Sequence, residues 1–266
     1  PMTGDSVKAL EAKLHCAATL AGWAQHDANT ERLAAEGAVD AIILLSKEEN
    51  LQIQRHCANA LRYMSERPKL CEQLIRNSPA QLVLELAGQE AKDEMISRDC
   101  AICLVNLTRM DGIEAKLVED AMVMALMTML NARDELAELC ARGLFNLTCV
   151  DTSYMYVERV IKSFVTLATS SSDVKHICAS GLCNLADLKD LRPRLVEEGV
   201  VQCLMILAKG AESRTRRVCA IILHSLALTQ ACRGEMISKG AISVLYSLSA
   251  DEDPITLHYI ASGIIY

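Results

Sequence analysis

CAICLVNL, residues 100–107, returns as CARGLFNL at 140–147 and CASGLCNL at 178–185, and this recurrence decides the fold. Outward from it, the Cys-Ala opening stands at Cys16, Cys57, Cys100, Cys140, Cys178 and Cys219, with Ile260-Ala261 in the next place. The intervals are 41, 43, 40, 38, 41 and 41 residues. Four residues after each opening comes Leu20, Leu61, Leu104, Leu144, Leu182, Leu223 and then Ile264. A fixed period of this length marks a solenoid, in which each unit buries its apolar face only by stacking on its neighbours. Cys100, Cys103, Leu104 and Leu107 keep the i, i+3, i+4, i+7 spacing of one helix face, so the octapeptide is helical.

A second marker shares the period. Gly37, Gly199 and Gly240 each lie 20 residues before the next Cys or Ile260, in the phrases Glu36-Gly37-Ala38-Val39, Glu198-Gly199-Val200-Val201 and Lys239-Gly240-Ala241-Ile242. Glycine there lets the chain turn sharply between helices, because it tolerates positive φ. The equivalent positions Ala80, Asp120 and Glu158 predict less regular junctions. Each unit therefore reads as a short helix, a turn, a medium helix, a polar loop and a long helix. In the first full unit the short helix is 30–36, the medium helix 38–46, the loop 47–50 and the long helix 51–65, with the turn at Gly37. The long helices are expected around 12–25, 51–65, 95–108, 134–148, 172–186, 213–228 and 253–266. Residues 1–4 read as a cloning remnant with a disordered start. Residues 5–266 read as one repeat domain of five full units between two partial ones, cut at its C-terminal end.

Composition agrees with an all-helical class. Hydrophobic residues make up 51% of the 266 but aromatics only 3%, which suits closely packed helices joined by small apolar side chains. Five prolines and twelve glycines are few for a sheet protein of this length. A net charge of −7 argues against general nucleic-acid affinity, which rests on neutralising phosphates. No apolar run approaches the roughly 18–20 residues that a spanning helix needs. Six of the twelve cysteines fall at one core position of the repeat, so they read as small hydrophobes in a reducing compartment, cytoplasmic or nuclear.

This period, with the Gly-turn phrase and the three octapeptides, resembles the armadillo family over nearly the whole chain. The resemblance implies an all-α, right-handed superhelical solenoid of three-helix units whose long helices line a concave groove. It further implies that an Asn on those helices grips a peptide backbone. Here that column is Gly22, Tyr63, Asn106, Asn146, Asn184, Ser225 and Tyr266. An amide suits the task, since it offers donors and an acceptor together; its alternative role is to hydrogen-bond neighbouring repeats. Importin-alpha relatives carry a Trp four residues earlier, where this chain has Ala18, Asn59, Ile102, Arg142, Ser180, Ile221 and Ser262. Nuclear-import cargo is therefore not expected. Two residues before the repeat Cys stand Arg55, Arg98, Glu138, His176 and Arg217. With Arg109, Arg142 and Arg216 they predict a basic groove suited to acidic or phosphorylated segments, unless neighbouring acids pair with them.

No chemistry competes with this reading. Cys100-x-x-Cys103 falls inside a repeated helix rather than at the helix N-terminus a redox motif needs. The His-Cys pairs lie on different repeats and match no closed zinc site, so no metal or other cofactor is expected. Phosphate-loop, HExxH and G-x-S-x-G elements are missing, and no enzyme is expected. The function implied is a protein-binding scaffold that holds an extended or helical peptide. Its candidate contacts are Asn106, Asn146, Asn184, Arg142, Arg98, Arg217, Ser225 and Tyr63. A self-docking or oligomerisation module and a client-binding region of a motor-protein chaperone are the alternatives.

Overall fold

A computed structural model describes residues 4–87, 93–109, 120–132, 134–149, 157–170, 174–209, 212–250 and 252–264. They form helices without a strand among the described residues. The long helices are α1 (Gly4–Ala24), α4 (Leu51–Ser65), α7 (Glu94–Leu107), α9 (Ala137–Thr148), α11 (Lys175–Asp187), α14 (Ser213–Ala227) and α17 (Pro254–Ile264). The medium helices are α3 (Ala38–Leu45), α6 (Pro79–Ala87), α8 (Asp120–Ala132), α10 (Val157–Ser170), α13 (Val200–Ala208) and α16 (Ala241–Leu248). Short helices α2 (Thr30–Ala35), α5 (Pro68–Arg76), α12 (Arg192–Glu197) and α15 (Gln230–Ser238) precede four of them. The first long helix begins at Gly4, earlier than its Cys register alone suggested.

The chain forms two compact units, residues 1–143 and 144–266. In the first, α4 packs between α1 and α7, and α6 against α8. In the second, α14 packs between α11 and α17, and α13 between α10 and α16. Long helix thus stacks on long helix and medium on medium within each unit. The repeat cysteines Cys57, Cys100, Cys140, Cys178 and Cys219 are fully buried, as are Leu104, Leu144 and Leu182. Cys16, on the first helix, is exposed.

Gly37, Gly199 and Gly240 take φ of 72°, 87° and 94° at the N-caps of α3, α13 and α16, the conformation their recurrence predicted. At the Ala80 junction the left-handed residue is instead Ser78, with φ 51°. A Cβ in that region costs about 1–2 kcal/mol. Ser78→Gly is therefore expected to raise unfolding stability by about 1 kcal/mol, read by urea denaturation. An unchanged or lower midpoint would mean that the serine side chain compensates. The approaches to Asp120 and Glu158 lie outside the described residues.

Candidate peptide-binding face

On the first unit the exposed sides of α1, α4 and α7 run side by side. A cavity of about 420 Å3 opens across these three helices. Gly22, Gln25, His56, Asn59, Met95 and Asp99 are among its lining residues. Gly22 and Ala18 leave room on α1, and Met95 is exposed beside the opening. A polar chain crosses the repeats here: Gln25 Nε2 donates to Asn59 Oδ1 at 3.5 Å, and Asn59 Nδ2 to Asp99 Oδ2 at 3.2 Å. Asp99 is buried and also accepts from Arg62 Nη1 at 3.1 Å, which balances its charge. The Arg62 guanidinium in turn lies 5.3 Å from the ring centre of Tyr63.

The asparagine column has a role between repeats. Asn106 Nδ2 donates to Ser65 Oγ at 3.0 Å, and Asn184 Nδ2 donates to Thr148 Oγ1 at 3.1 Å. Those hydroxyls donate to the carbonyls of Arg62 and Phe145 at the ends of their own helices. The amide of one repeat therefore holds the closing turn of the long helix before it. Asn184 Nδ2 also donates to Cys149 Sγ at 3.4 Å, whereas the Asn106 amide has a second N–H and its carbonyl oxygen beyond the Ser65 bond. Asn146 is half-buried, and Ser225 is buried. Tyr266 lies outside the described residues.

Several of the arginines pair with acids or carbonyls, the alternative that their spacing left open. Arg55 Nη2 and Nε donate to Asp93 Oδ2 at 2.8 and 3.0 Å. Arg217 Nη2 and Nε grip both oxygens of Asp253 at 2.8 and 3.0 Å. Each of these aspartates is the N-cap of the next long helix, accepting from Ile96 N and Thr256 N at 3.0 and 2.9 Å. Burial works to raise the Asp93 carboxyl, but the Arg55 and Ile96 hydrogen bonds outweigh it and hold it below the ordinary range. Arg217 and then Thr256 hold Asp253 low. Arg142 pairs with Glu138 at 2.6 Å, and Arg216 donates to the carbonyls of Ala208 and Ser247 at 3.0 and 2.9 Å. Arg98 is exposed, and its register partner, seven residues before Cys140, is Arg133. That residue lies outside those described.

Burial pushes the Cys103 thiol up to about 12 and Cys100 well above its ordinary value, so neither supplies a thiolate. Among the described residues no group of three His, Cys, Asp or Glu side chains is placed to hold a metal ion. No described helix is long and apolar enough to cross a membrane.

No protein-family model and no curated protein matches the chain. Solved structures do. A computationally designed armadillo repeat protein for modular peptide recognition aligns over 84% of this chain and 97% of its own, with a TM-score of 0.67 and 14% identity. A designed armadillo repeat protein in complex with the peptide (KR)4 aligns over 84% and 97%, at 0.66 and 14%. An engineered protein from a structural-genomics effort aligns over 86% and 95%, at 0.66 and 19%. At such low identity the likeness carries the fold: this chain is an all-α solenoid of armadillo-type repeats.

Proposed function

We propose that the long-helix face of the first unit binds an extended peptide segment of another protein. The observation that carries this reading is the cavity across α1, α4 and α7, where amide and imidazole groups meet an apolar rim. Gln25 and His56 can pair with the main chain of a peptide, and Met95 can cover an apolar side chain. Asn106 is the next rung on α7, through the amide N–H and oxygen that Ser65 leaves over. On the second unit, by itself, Asn146 and Asn184 take the corresponding place. The designed armadillo repeat protein in complex with the peptide (KR)4 supports the reading, as a protein of this fold that binds a peptide. Recognition here rests on main-chain amides more than on charge. Arg55 and Arg217 are spent on aspartates, and exposed Arg98 is the column's remaining arginine for an acidic residue.

The test is a displayed library of intracellular peptides panned on the chain, with retained sequences measured by calorimetry. Gln25→Ala combined with Met95→Ala is expected to weaken a retained peptide about tenfold, the scale of losing one or two interface anchors, with little change in melting temperature. Both side chains reach solvent, so the fold tolerates the change. Peptides that bind the double variant as tightly as the parent would overturn the assignment of this face.

A further inference from the structure

The cavity across α1, α4 and α7 has a floor, a wall and a rim of different chemistry, and together they select one kind of side chain. The floor is Asp99, which is 7% exposed. Its carboxylate accepts from Asn59 Nδ2 at 3.2 Å and from Arg62 Nη1 at 3.1 Å. A carboxylate has about four acceptor sites, so about two are left for a donor that enters the cavity. The wall on α1 is Ala18, Ala21 and Gly22, and a Cβ at Gly22 would meet nothing within 4 Å. Where the next two repeats carry Tyr63 and Asn106, this one leaves a slot against helix backbone. Met95, 63% exposed, stands at the rim.

Charge and burial eliminate most occupants. Arg55 lines the cavity, but its guanidinium is taken by Asp93. A lysine or arginine would stand near Arg55 and compete with Arg62 for the same carboxylate. An acidic or phosphorylated side chain would come against Asp99 with both neighbouring guanidinium groups already paired. An aliphatic side chain would shut the carboxylate away from water and leave its remaining sites unpaired, which is costly. What remains is a neutral side chain, apolar along its length, with a donor at its tip.

We propose that the cavity takes the unphosphorylated tyrosine side chain of an extended partner segment. The assignment rests on the peptide-binding reading of this face and names the side chain that anchors there. The ring lies against the small residues of α1, with the Met95 thioether at its edge, a contact that sulfur and aromatic rings favour. The hydroxyl donates to Asp99 and can accept from the Gln52 amide, which also lines the cavity. Tryptophan offers a donor alone, on the side of its ring, and glutamine has no ring for Met95. Phosphorylation of the tyrosine sets about two negative charges against Asp99 and releases the segment.

The test uses the whole chain with isotope-labelled methionine methyls, and N-acetyl-tyrosine methylamide as the probe. The Met95 methyl signal, assigned through Met95→Leu, is expected to move saturably as the ring covers it. The phenylalanine counterpart is expected to bind about tenfold more weakly, the scale of one hydrogen bond. The phosphotyrosine and lysine counterparts should leave the signal in place. Gly22→Leu fills the slot and should abolish the shift, and the open space over Gly22 lets the helix keep its packing. A single residue lacks the main-chain contacts of a longer segment, so peptides retained in panning are the second readout. They are expected to carry tyrosine and to lose about tenfold in affinity on its exchange for phenylalanine, and more on its phosphorylation. Retained peptides without tyrosine overturn the assignment and leave the peptide-binding face standing. Lysine or phosphotyrosine moving the signal as strongly as tyrosine overturns it too. A Met95 shift in a chain that retains no peptide supports the cavity's choice and overturns the reading of the face. Neither a shift nor a retained peptide overturns both.

Discussion

Gly181→Ala is expected to destabilise the second unit by about 2 kcal/mol or more, although alanine is the better helix former by about 1 kcal/mol. The glycine sits inside α11, where no turn asks for it. A Cβ built there comes within 2.7 Å of Phe164 Cε2 and 3.0 Å of Cε1, and closer still to Cζ. Phe164 is fully buried, so its ring has no free space to swing into. Overpacking of this kind forces side chains off their rotamers or shifts the backbone. The neighbouring repeat shows the same match at the same register, 14 residues before the Cys and three after it: a Cβ at Gly143 would come 2.9 Å from Leu126 Cδ2. Phe164→Leu should therefore restore much of what Gly181→Ala loses, a coupling that a double-mutant cycle in urea would measure. If the two substitutions simply add, the ring is moving aside and size matching is not what fixes glycine there.

The repeat was legible because its signals lie on strict columns. The Cys and Leu columns named the buried faces of the long helices, and the glycine phrase named three turns, all at positive φ. What escaped reading were relations between columns. The acids that pair with Arg55 and Arg217 could not be named because they lie 38 and 36 residues on, at N-caps. Asp93 and Asp253 each stand seven residues before a column position, so a search for that offset would have found the pairs. The Asn106 bond to Ser65 and the Asn184 bond to Thr148 were hidden likewise, since the hydroxyl partners form a column of their own eight residues after Cys57 and Cys140. The cavity over Gly22 and Asn59 left no such trace. It comes from small residues on α1 facing an amide on α4, and neither the glycine nor the asparagine recurs on its column.

Leu144→Ala is expected to cost about 2–5 kcal/mol of unfolding free energy in urea, the range of buried Leu truncations. Leu144 is 0% exposed, as are Leu104 and Leu182 at the same register. These side chains stand four residues after the buried Cys, on the face each long helix turns to its neighbours. Removing one leaves a void that the close-packed side chains around it only partly fill, so the cavity term adds to the lost transfer free energy. Leu20 provides the internal control. It holds the same register on α1 but is only half-buried, and its companion Cys16 is exposed. Leu20→Ala is therefore expected to cost clearly less than Leu144→Ala. A near-neutral Leu144→Ala would mean that the column does not face the core. Equal losses at both positions would mean that α1 is covered as fully as the inner repeats, and its exposed cysteine would then need another explanation.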